Sequence, residues 1–272
     1  MRLVKQTVEL LDSDKIKAAM TPGSLSKLHT LSVFDTIGST NSYLMDCAKS
    51  GVLSGSVCIA DQQTRGRGRQ GRTWYSPPGA NIYCSLLWYF PVQQTDLAAL
   101  SLAVAVMVAK CLTKYGITNG IQLKWPNDVL FQSQKLAGIL LERLPENAEQ
   151  IGIVVGVGLN LMLPQENVES AQWIDVASIA HRPLQRNYLA GLLINEILHG
   201  LSVYQQQGFR AFINEWQQLD VMRGKEVTVH RVLETVTGTM EGINEKGELL
   251  LKSSDNTLRT FHCGEVSVRY LK

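Results

Sequence analysis

Apolar and polar positions alternate along this chain in two different rhythms. From Leu31 a strand is predicted, followed by Gly38-Ser39-Thr40-Asn41 and a helix over 42–49. Ser, Thr and Asn accept hydrogen bonds from the first amides of a helix, so 39–41 reads as an N-cap. Short apolar strands follow at 55–60 and 82–88, then a buried helix over 98–115. The run 97–109 is broken only by Ser101 and falls short of the ~20 apolar residues that cross a bilayer. Strands at 121–124, 129–131 and 136–142 surround the turn-forming Trp125-Pro126-Asn127-Asp128. The stretch 151–162 is a strand apolar on both faces, yet it carries Gly152, Gly156 and Gly158. Glycine weakens a strand and marks the close approach of a backbone or a ligand. An amphipathic helix over 187–206 presents Leu189, Leu193 and Ile197 on one face, and 209–219 reads as another helix.

After Gly224 the rhythm changes to short alternating strands at 225–232, 235–243, 248–252, 258–261 and 265–271, with turn chemistry at Asn244-Glu245-Lys246-Gly247. Three parts are therefore expected: a weakly helical N-terminal linker (1–30), an α/β domain (31–222) and a small all-β unit (223–272).

The 272 residues are 45% hydrophobic, enough for a sizeable core. Net charge is +2, so the chain lacks the broad basic excess of a dedicated nucleic-acid binder. Five cysteines form an odd set without CxxC spacing, and five histidines are scattered, which argues for reduced thiols and against a transition-metal site. The N-terminus has no continuous apolar run, so neither leader nor anchor is expected, and a cytoplasmic setting is.

One segment stands apart. Gln63-Thr-Arg-Gly-Arg-Gly-Arg-Gln-Gly-Arg-Thr-Trp74 holds four arginines and three glycines between residues 65 and 72. Gly66-x-Gly68-x-x-Gly71 matches the dinucleotide fingerprint formally, but Pro77-Pro78 forbids the helix that the fingerprint needs. A phosphate cradle, a nucleic-acid patch and a solvated loop all remain. Three further clusters narrow the choice: Lys124-Trp125-Pro126-Asn127-Asp128, Lys135-Leu-Ala-Gly138-Ile, and Gly156-Val-Gly158-Leu-Asn160.

In order and spacing, these clusters together with Ser39-Thr40-Asn41 and the arginine loop resemble the motif series of bacterial biotin protein ligases, from about Phe34 to Lys272. The resemblance implies a mixed sheet flanked by helices, like the catalytic core of class II aminoacyl-tRNA synthetases, with a C-terminal SH3-like barrel. It implies that biotin's carboxylate attacks the α-phosphate of ATP, with Mg²⁺, giving biotinyl-5′-adenylate. A lysine of a biotin carboxyl carrier protein, as in acetyl-CoA carboxylase, then takes the biotinyl group. By the same resemblance Lys135, Arg67, Arg69 and Asp128 are the catalytic candidates. Ser39, Thr40, Asn41, Gln63, Arg67, Gly68, Arg69, Lys135, Gly156 and Gly158 would hold biotin. Arg67, Arg69, Arg72, Trp74, Lys124, Asn127, Lys135 and Asn160 would hold ATP and the adenylate, Trp74 by stacking on adenine. Asp128 would either organise Mg²⁺ or activate the acceptor lysine, and the loop would close as a lid. Glu265 and Arg269 are candidates for a contact from the barrel. Family members that also repress transcription carry a winged helix-turn-helix of some 60 residues, whereas about 30 precede the core here. No operator binding is therefore expected, from a monomer or a homodimer. Two alternatives stay open: a lipoate or octanoate ligase of the same fold, and a nucleic-acid-binding regulator.

Overall fold

Strands β1 (Thr30–Ile37), β2 (Ser56–Gln63), β3 (Asn81–Pro91), β4 (Ile121–Lys124), β5 (Asp128–Phe131), β6 (Gln134–Arg143) and β7 (Gln150–Asn160) build a seven-stranded sheet in the order β1-β2-β3-β7-β6-β5-β4. Only β1 and β2 run parallel. The computed structural model describes residues 9–93, 97–145, 149–164, 172–180, 182–231, 234–263 and 266–270.

Side chains alternate across the pleat, and the two faces of this sheet are covered differently. Val57, Ile59, Ile82, Leu86, Val155 and Val157 point into the main core, which α4 (Leu100–Lys114), α6 (Arg186–Gln207) and α7 (Ile213–Leu219) complete. The opposite face is covered by α3 (Thr40–Lys49), whose Leu44 packs with Cys58, Leu87 and Val154. Two and four residues along β7 from Val154, on that face, come Gly156 and Gly158, where α3 gives way to the arginine loop. Gly156 and Gly158 thus lie where the sheet's second face stays open, whereas Gly152 makes room for Leu144 and Tyr89.

Helix α6 departs from the single apolar face that its sequence predicts. Asn187, Gly191, Asn195 and Glu196 are buried along with its leucines. The cause is the N-terminal segment, whose helices α1 (Ser13–Ala18) and α2 (Pro22–Leu25) pack on α6. Asn187 Oδ1 accepts from the amide of Asp12 at 2.8 Å, and Asn195 Oδ1 from that of Thr21 at 3.0 Å. Ile16 is fully buried, and a Cβ on Gly191 would fall 2.3 Å from its carbonyl oxygen. The predicted helix over 209–219 is a short 3-10 turn (Gly208–Ala211) followed by α7. A short α5 (Val176–Ala180) precedes α6.

Strands β8 (Glu226–His230), β9 (Thr235–Ile243), β10 (Leu249–Lys252), β11 (Leu258–Phe261) and β12 (Ser267–Tyr270) form a second, antiparallel sheet in the order β11-β10-β9-β8-β12. Its turn is made as its composition predicts, Asn244 Oδ1 accepting from the amides of Lys246 and Glu248. Trp125 joins the two sheets. It is buried, and its indole N–H donates to the carbonyl of Gly247 at 3.1 Å. Val227, Met240, Leu249 and Phe261 belong to the same core as the large sheet.

Candidate active site

The arginine loop folds as a small hairpin over the open face of the sheet. Arg67 and Thr73 pair across it, the amide of Gly68 donates to Arg72 O at 2.7 Å, and that of Trp74 to Gly66 O at 3.1 Å. Its tip turns through Gln70 (φ 55°) and Gly71 (φ 72°), left-handed backbone that glycine adopts without strain. Gly66 is required by space: a Cβ there would lie 2.4 Å from both Ser76 Oγ and Trp74 O.

Beneath the hairpin is a cavity of about 330 Å³, lined by Ser39, Thr40 and Asn41 from the start of α3, Ser85 from β3, Gly156 and Gly158 from β7, and Arg67, Gly68, Arg69, Arg72, Thr73 and Trp74 of the loop. Its polar groups interlock. Ser39 caps α3, accepting from the amide of Ser42. Gln63 Oε1 accepts from both the amide and the hydroxyl of Thr40, at 2.9 and 3.1 Å. Ser85 Oγ lies 2.7 Å from Thr40 Oγ1 and 2.5 Å from Asn41 Oδ1. Asn41 Nδ2 donates to Glu142 Oε2 at 2.9 Å, and the other oxygen of Glu142 binds the guanidinium of Arg67 at 2.8 Å. The glycines make room. A Cβ on Gly156 would meet Asn41 Oδ1 at 2.2 Å, and one on Gly158 would meet the Trp74 ring at 2.5 Å. Cys84 also lines the cavity, but burial pushes its thiol up to about 12, so it is no nucleophile near neutrality.

A second cavity of about 790 Å³ adjoins the first and extends to the C-terminal sheet, with Lys124, Ser133, Ser267, Arg269 and Tyr270 in its wall. Arg69, Arg72, Asn127, Asp128, Lys135 and Trp173 border both cavities. At their junction Lys135 Nζ sits 2.6 Å from Asp128 Oδ1 and 5.2 Å from the centre of the Trp74 ring. Among the described residues Asp128 is the only acidic side chain lining either cavity. Arg69 donates to Asn127 Oδ1 at 3.2 Å and to the carbonyl of Cys263, tying the loop to the C-terminal sheet. Burial lowers the pKa of Lys124, opposed by the Asp128 carboxylate, and its ammonium lies 5.6 Å from the ring of Tyr270.

Of the residues singled out by sequence, Ser39, Thr40, Asn41, Gln63, Arg67, Gly68, Arg69, Arg72, Trp74, Asn127, Asp128, Lys135, Gly156 and Gly158 all line the first cavity. Lys124 and Arg269 line the second. Glu265 falls outside the described residues. Asn160 lines neither cavity. It is fully buried, and its Nδ2 donates to the carbonyls of Lys135 and Ile174, at 3.2 and 3.1 Å, so it fastens 172–174 against β6. Trp74 does not stand clear as a lone stacking platform. It lies on Gly138 and Gly158, and Trp173 stacks on it with ring centres 6.2 Å apart and planes 12° from parallel. Sequence reading passed over Trp173, Ser85 and Glu142. Trp173 carries no motif, and the other two read as ordinary strand positions.

A floor cleared by glycines, a cation–carboxylate pair at the junction of two cavities and an arginine hairpin above them make a site whose chemistry suits an anionic ligand lying across both cavities. The profile of the Biotin/lipoate A/B protein ligase family matches residues 33–160, and that of the Biotin protein ligase C terminal domain matches 224–269. The bifunctional ligase/repressor BirA of Escherichia coli is 35% identical over 97% of this chain and 80% of its own length. The biotin–[acetyl-CoA-carboxylase] ligase of Mycobacterium tuberculosis is 35% identical over 69% of this chain and 73% of its own. The Aquifex aeolicus biotin protein ligase, solved in complex with biotin and ATP, aligns with a TM-score of 0.77 and 27% identity over 90% of this chain and all of its own. The chain belongs to the biotin protein ligase family. Its activity is that family's: ATP-dependent ligation of biotin through biotinyl-5′-AMP. The lipoate ligase alternative is not favoured.

Proposed function

We propose that biotin occupies the first cavity and the phosphates of ATP the second, with the reacting atoms meeting at Lys135 and Asp128. The observation that carries this division is the junction itself: both cavities share Arg69, Asn127, Asp128 and Lys135, so a carboxylate in one faces a phosphate in the other. The glycine-cleared floor suits an apolar bicycle, and the Thr40, Asn41, Gln63 and Ser85 network suits its ureido edge.

In the first half-reaction a biotin carboxylate oxygen bonds to the α-phosphorus, and the bond to the β-phosphate oxygen breaks as pyrophosphate leaves. Both reactants are anionic, so cations fixed in advance lower the barrier more than cations recruited from water. Lys135, Arg69 and Arg72 take that role. Magnesium keeps most of its waters and binds through one or two carboxylates plus substrate phosphates. The single carboxylate of Asp128 fits that donor set and would hold the ion, which supplies charge neutralisation on the phosphates. In the second half-reaction the ε-amine of an acceptor lysine attacks the mixed-anhydride carbonyl and AMP leaves. The amine must first lose a proton, since a free lysine titrates at about 10.4. Asp128 is the base we assign to it. The acceptor is a lysine of a biotin carboxyl carrier protein. The hairpin serves as a lid that keeps water from the adenylate. Biotin with ATP is therefore expected to slow trypsin cleavage at Arg65, Arg67, Arg69 and Arg72, and unchanged cleavage would remove that role.

Further readings follow from the fold. Because α1 and α2 are packed on α6, they serve the ligase fold, and the chain is expected to bind no operator. A sequence-specific shift of a promoter fragment would overturn that reading. Among the described residues no helix is long and apolar enough to cross a membrane, and the free cysteines suit a cytoplasmic setting. ATP–pyrophosphate exchange tests the central proposal. Exchange is expected with biotin and not with lipoate or octanoate, and exchange supported by lipoate would refute it.

A further inference from the structure

We propose that Glu142 is a positioning residue for biotin recognition, and that Arg67 acts through it rather than as a cation for phosphate. Glu142 ends the row Gly138, Leu140, Glu142 on β6, which shares its face with Val154, Gly156 and Gly158 of β7. Its carboxylate is mostly buried, with 17% of the side chain exposed, and each oxygen holds a different element. Oε1 takes the guanidinium of Arg67 from the hairpin, and Oε2 takes the amide Nδ2 of Asn41 from α3.

Two consequences follow from that geometry. The Asn41 amide is locked in one orientation: its nitrogen is committed to Glu142 and its oxygen to the hydroxyl of Ser85 at 2.5 Å. A carboxylate only accepts, so it fixes which end of the amide turns toward it. The ligand-facing hydrogen and lone pair of Asn41 are thereby set before biotin arrives. The second consequence concerns Arg67. Its charge is already matched by Glu142, and its other guanidinium nitrogen lies 3.4 Å from Ser42 Oγ, at the α3 end of the cavity rather than at the Asp128–Lys135 junction. Arg67 therefore anchors the near half of the hairpin over the α3 end of the cavity, while Arg69 anchors the far half on Asn127 and the C-terminal sheet.

The inference rests on assigning the first cavity to biotin, and the experiment separates the two claims. Biotin affinity is measured by titration calorimetry on the full chain, and kcat and KM for biotin and for ATP by pyrophosphate exchange, in native protein, Glu142→Gln, Glu142→Asp, Arg67→Met and the double variant Glu142→Gln/Arg67→Met. Glutamine keeps the shape but loses the charge that holds Arg67. Its biotin Kd and KM are expected to rise about tenfold, equivalent to about 1.4 kcal/mol, with kcat and the ATP KM within about twofold. Aspartate, which restores the charge at shorter reach, is expected to recover part of the affinity. The double variant is expected to be no weaker than the weaker single variant, because both changes cut the same link. Native biotin affinity in Glu142→Gln would overturn the role of Glu142. So would a fall in kcat at constant KM, or a double variant that loses the sum of the two. If Glu142→Gln does not fold, half-exposed Arg67→Met carries the test: a raised biotin KM at native kcat supports the proposal, and about a hundredfold loss of kcat makes Arg67 a phosphate cation instead. Failure of the native chain to bind biotin would refute the site assignment itself.

Discussion

Replacing Gly156 by alanine tests the assignment of the first cavity to biotin with the smallest perturbation available. Gly156 pairs with Ser85 on one side and Leu140 on the other, in the middle of the large sheet. An added Cβ would stand 2.2 Å from Asn41 Oδ1, 2.9 Å from its Cγ and 3.0 Å from its Nδ2. To reach ordinary van der Waals separation the amide must retreat by roughly 1 Å. That movement opens the 2.5 Å bond from Ser85 and the 2.9 Å bond to the Glu142 carboxylate. A neutral hydrogen bond contributes about 0.5–1.5 kcal/mol net and one to a charged group about 1.5–3. Alanine recovers about 0.5–1 kcal/mol over glycine within a strand. The net loss is then about 1–4 kcal/mol, and if it falls on the bound state biotin binds about 5- to 900-fold more weakly. Titration calorimetry with biotin reads the loss directly, and the ATP KM is expected to stay near native. Gly23→Ala is the control, since nothing lies within 4 Å of a Cβ at that helical position. It is expected to keep biotin affinity and to gain about 0.4–1 kcal/mol of stability. Biotin affinity within threefold of native in Gly156→Ala, with unchanged melting, would show that Asn41 does not seat the ligand.

Three further outcomes are expected. Lys135→Met, which removes the cation at the junction, should lower the rate of pyrophosphate exchange about 10²–10³-fold while leaving the melting temperature near native. Asp128→Asn, assayed with preformed biotinyl-5′-adenylate, should slow transfer to the acceptor about 10²-fold; normal transfer would exclude lysine activation and leave only the metal role. Asp220 lies outside both cavities, and burial raises its pKa above the usual 3.8. Folded protein therefore holds that proton to higher pH than unfolded protein does, so this group's contribution to stability falls as pH rises from about 3.8 through the raised value. Asp220→Asn keeps the acceptor for the Met222 amide. It should be more stable than native above that window and equal to it below, as urea unfolding across pH 3.5–7 will show, and a constant difference at every pH would refute the assignment.

The fold was legible wherever one residue's neighbours along the chain decide its state. The strand over 82–88, the turn at 244–247 and the break at Pro77-Pro78 each declare themselves through local pattern. Helix α6 was legible as a helix over 187–206, but its second buried face was not, because that burial depends on α1 and α2 docking from more than 170 residues away in sequence. The same distinction governs the site. Residues concentrated in motifs, such as Arg69, Lys135 and Gly158, stand out in the sequence and line the first cavity. Glu142 was not, because its partners are Asn41 and Arg67, and nothing at positions 140–144 announces them. Trp173 was missed for a related reason: its place over Trp74 is fixed by backbone pairing of 172–174 with Lys135, held by the buried amide of Asn160. Asn160, expected at a ligand, is read better as the fastening of that segment.

The arginine hairpin first reads as an excess of positive charge, and the geometry of its partners revises that reading. Arg67 is matched by Glu142, Arg69 donates to Asn127 and to the carbonyl of Cys263, and Lys135 sits on Asp128. These cations are thus oriented by acceptors of the protein itself, which fixes them in advance and spares the cost of gathering them around each new substrate. The same pairing sets a threshold. A polyanion that offers only charge must displace Glu142 and Asp128 from their partners without the apolar contact proposed for biotin on the glycine floor. A ligand that joins the two cavities gains both terms at once. A preference for such a ligand over nucleic acid is then expected from the protein's own carboxylates, and loss of either acid should broaden anion binding even as it weakens ligation.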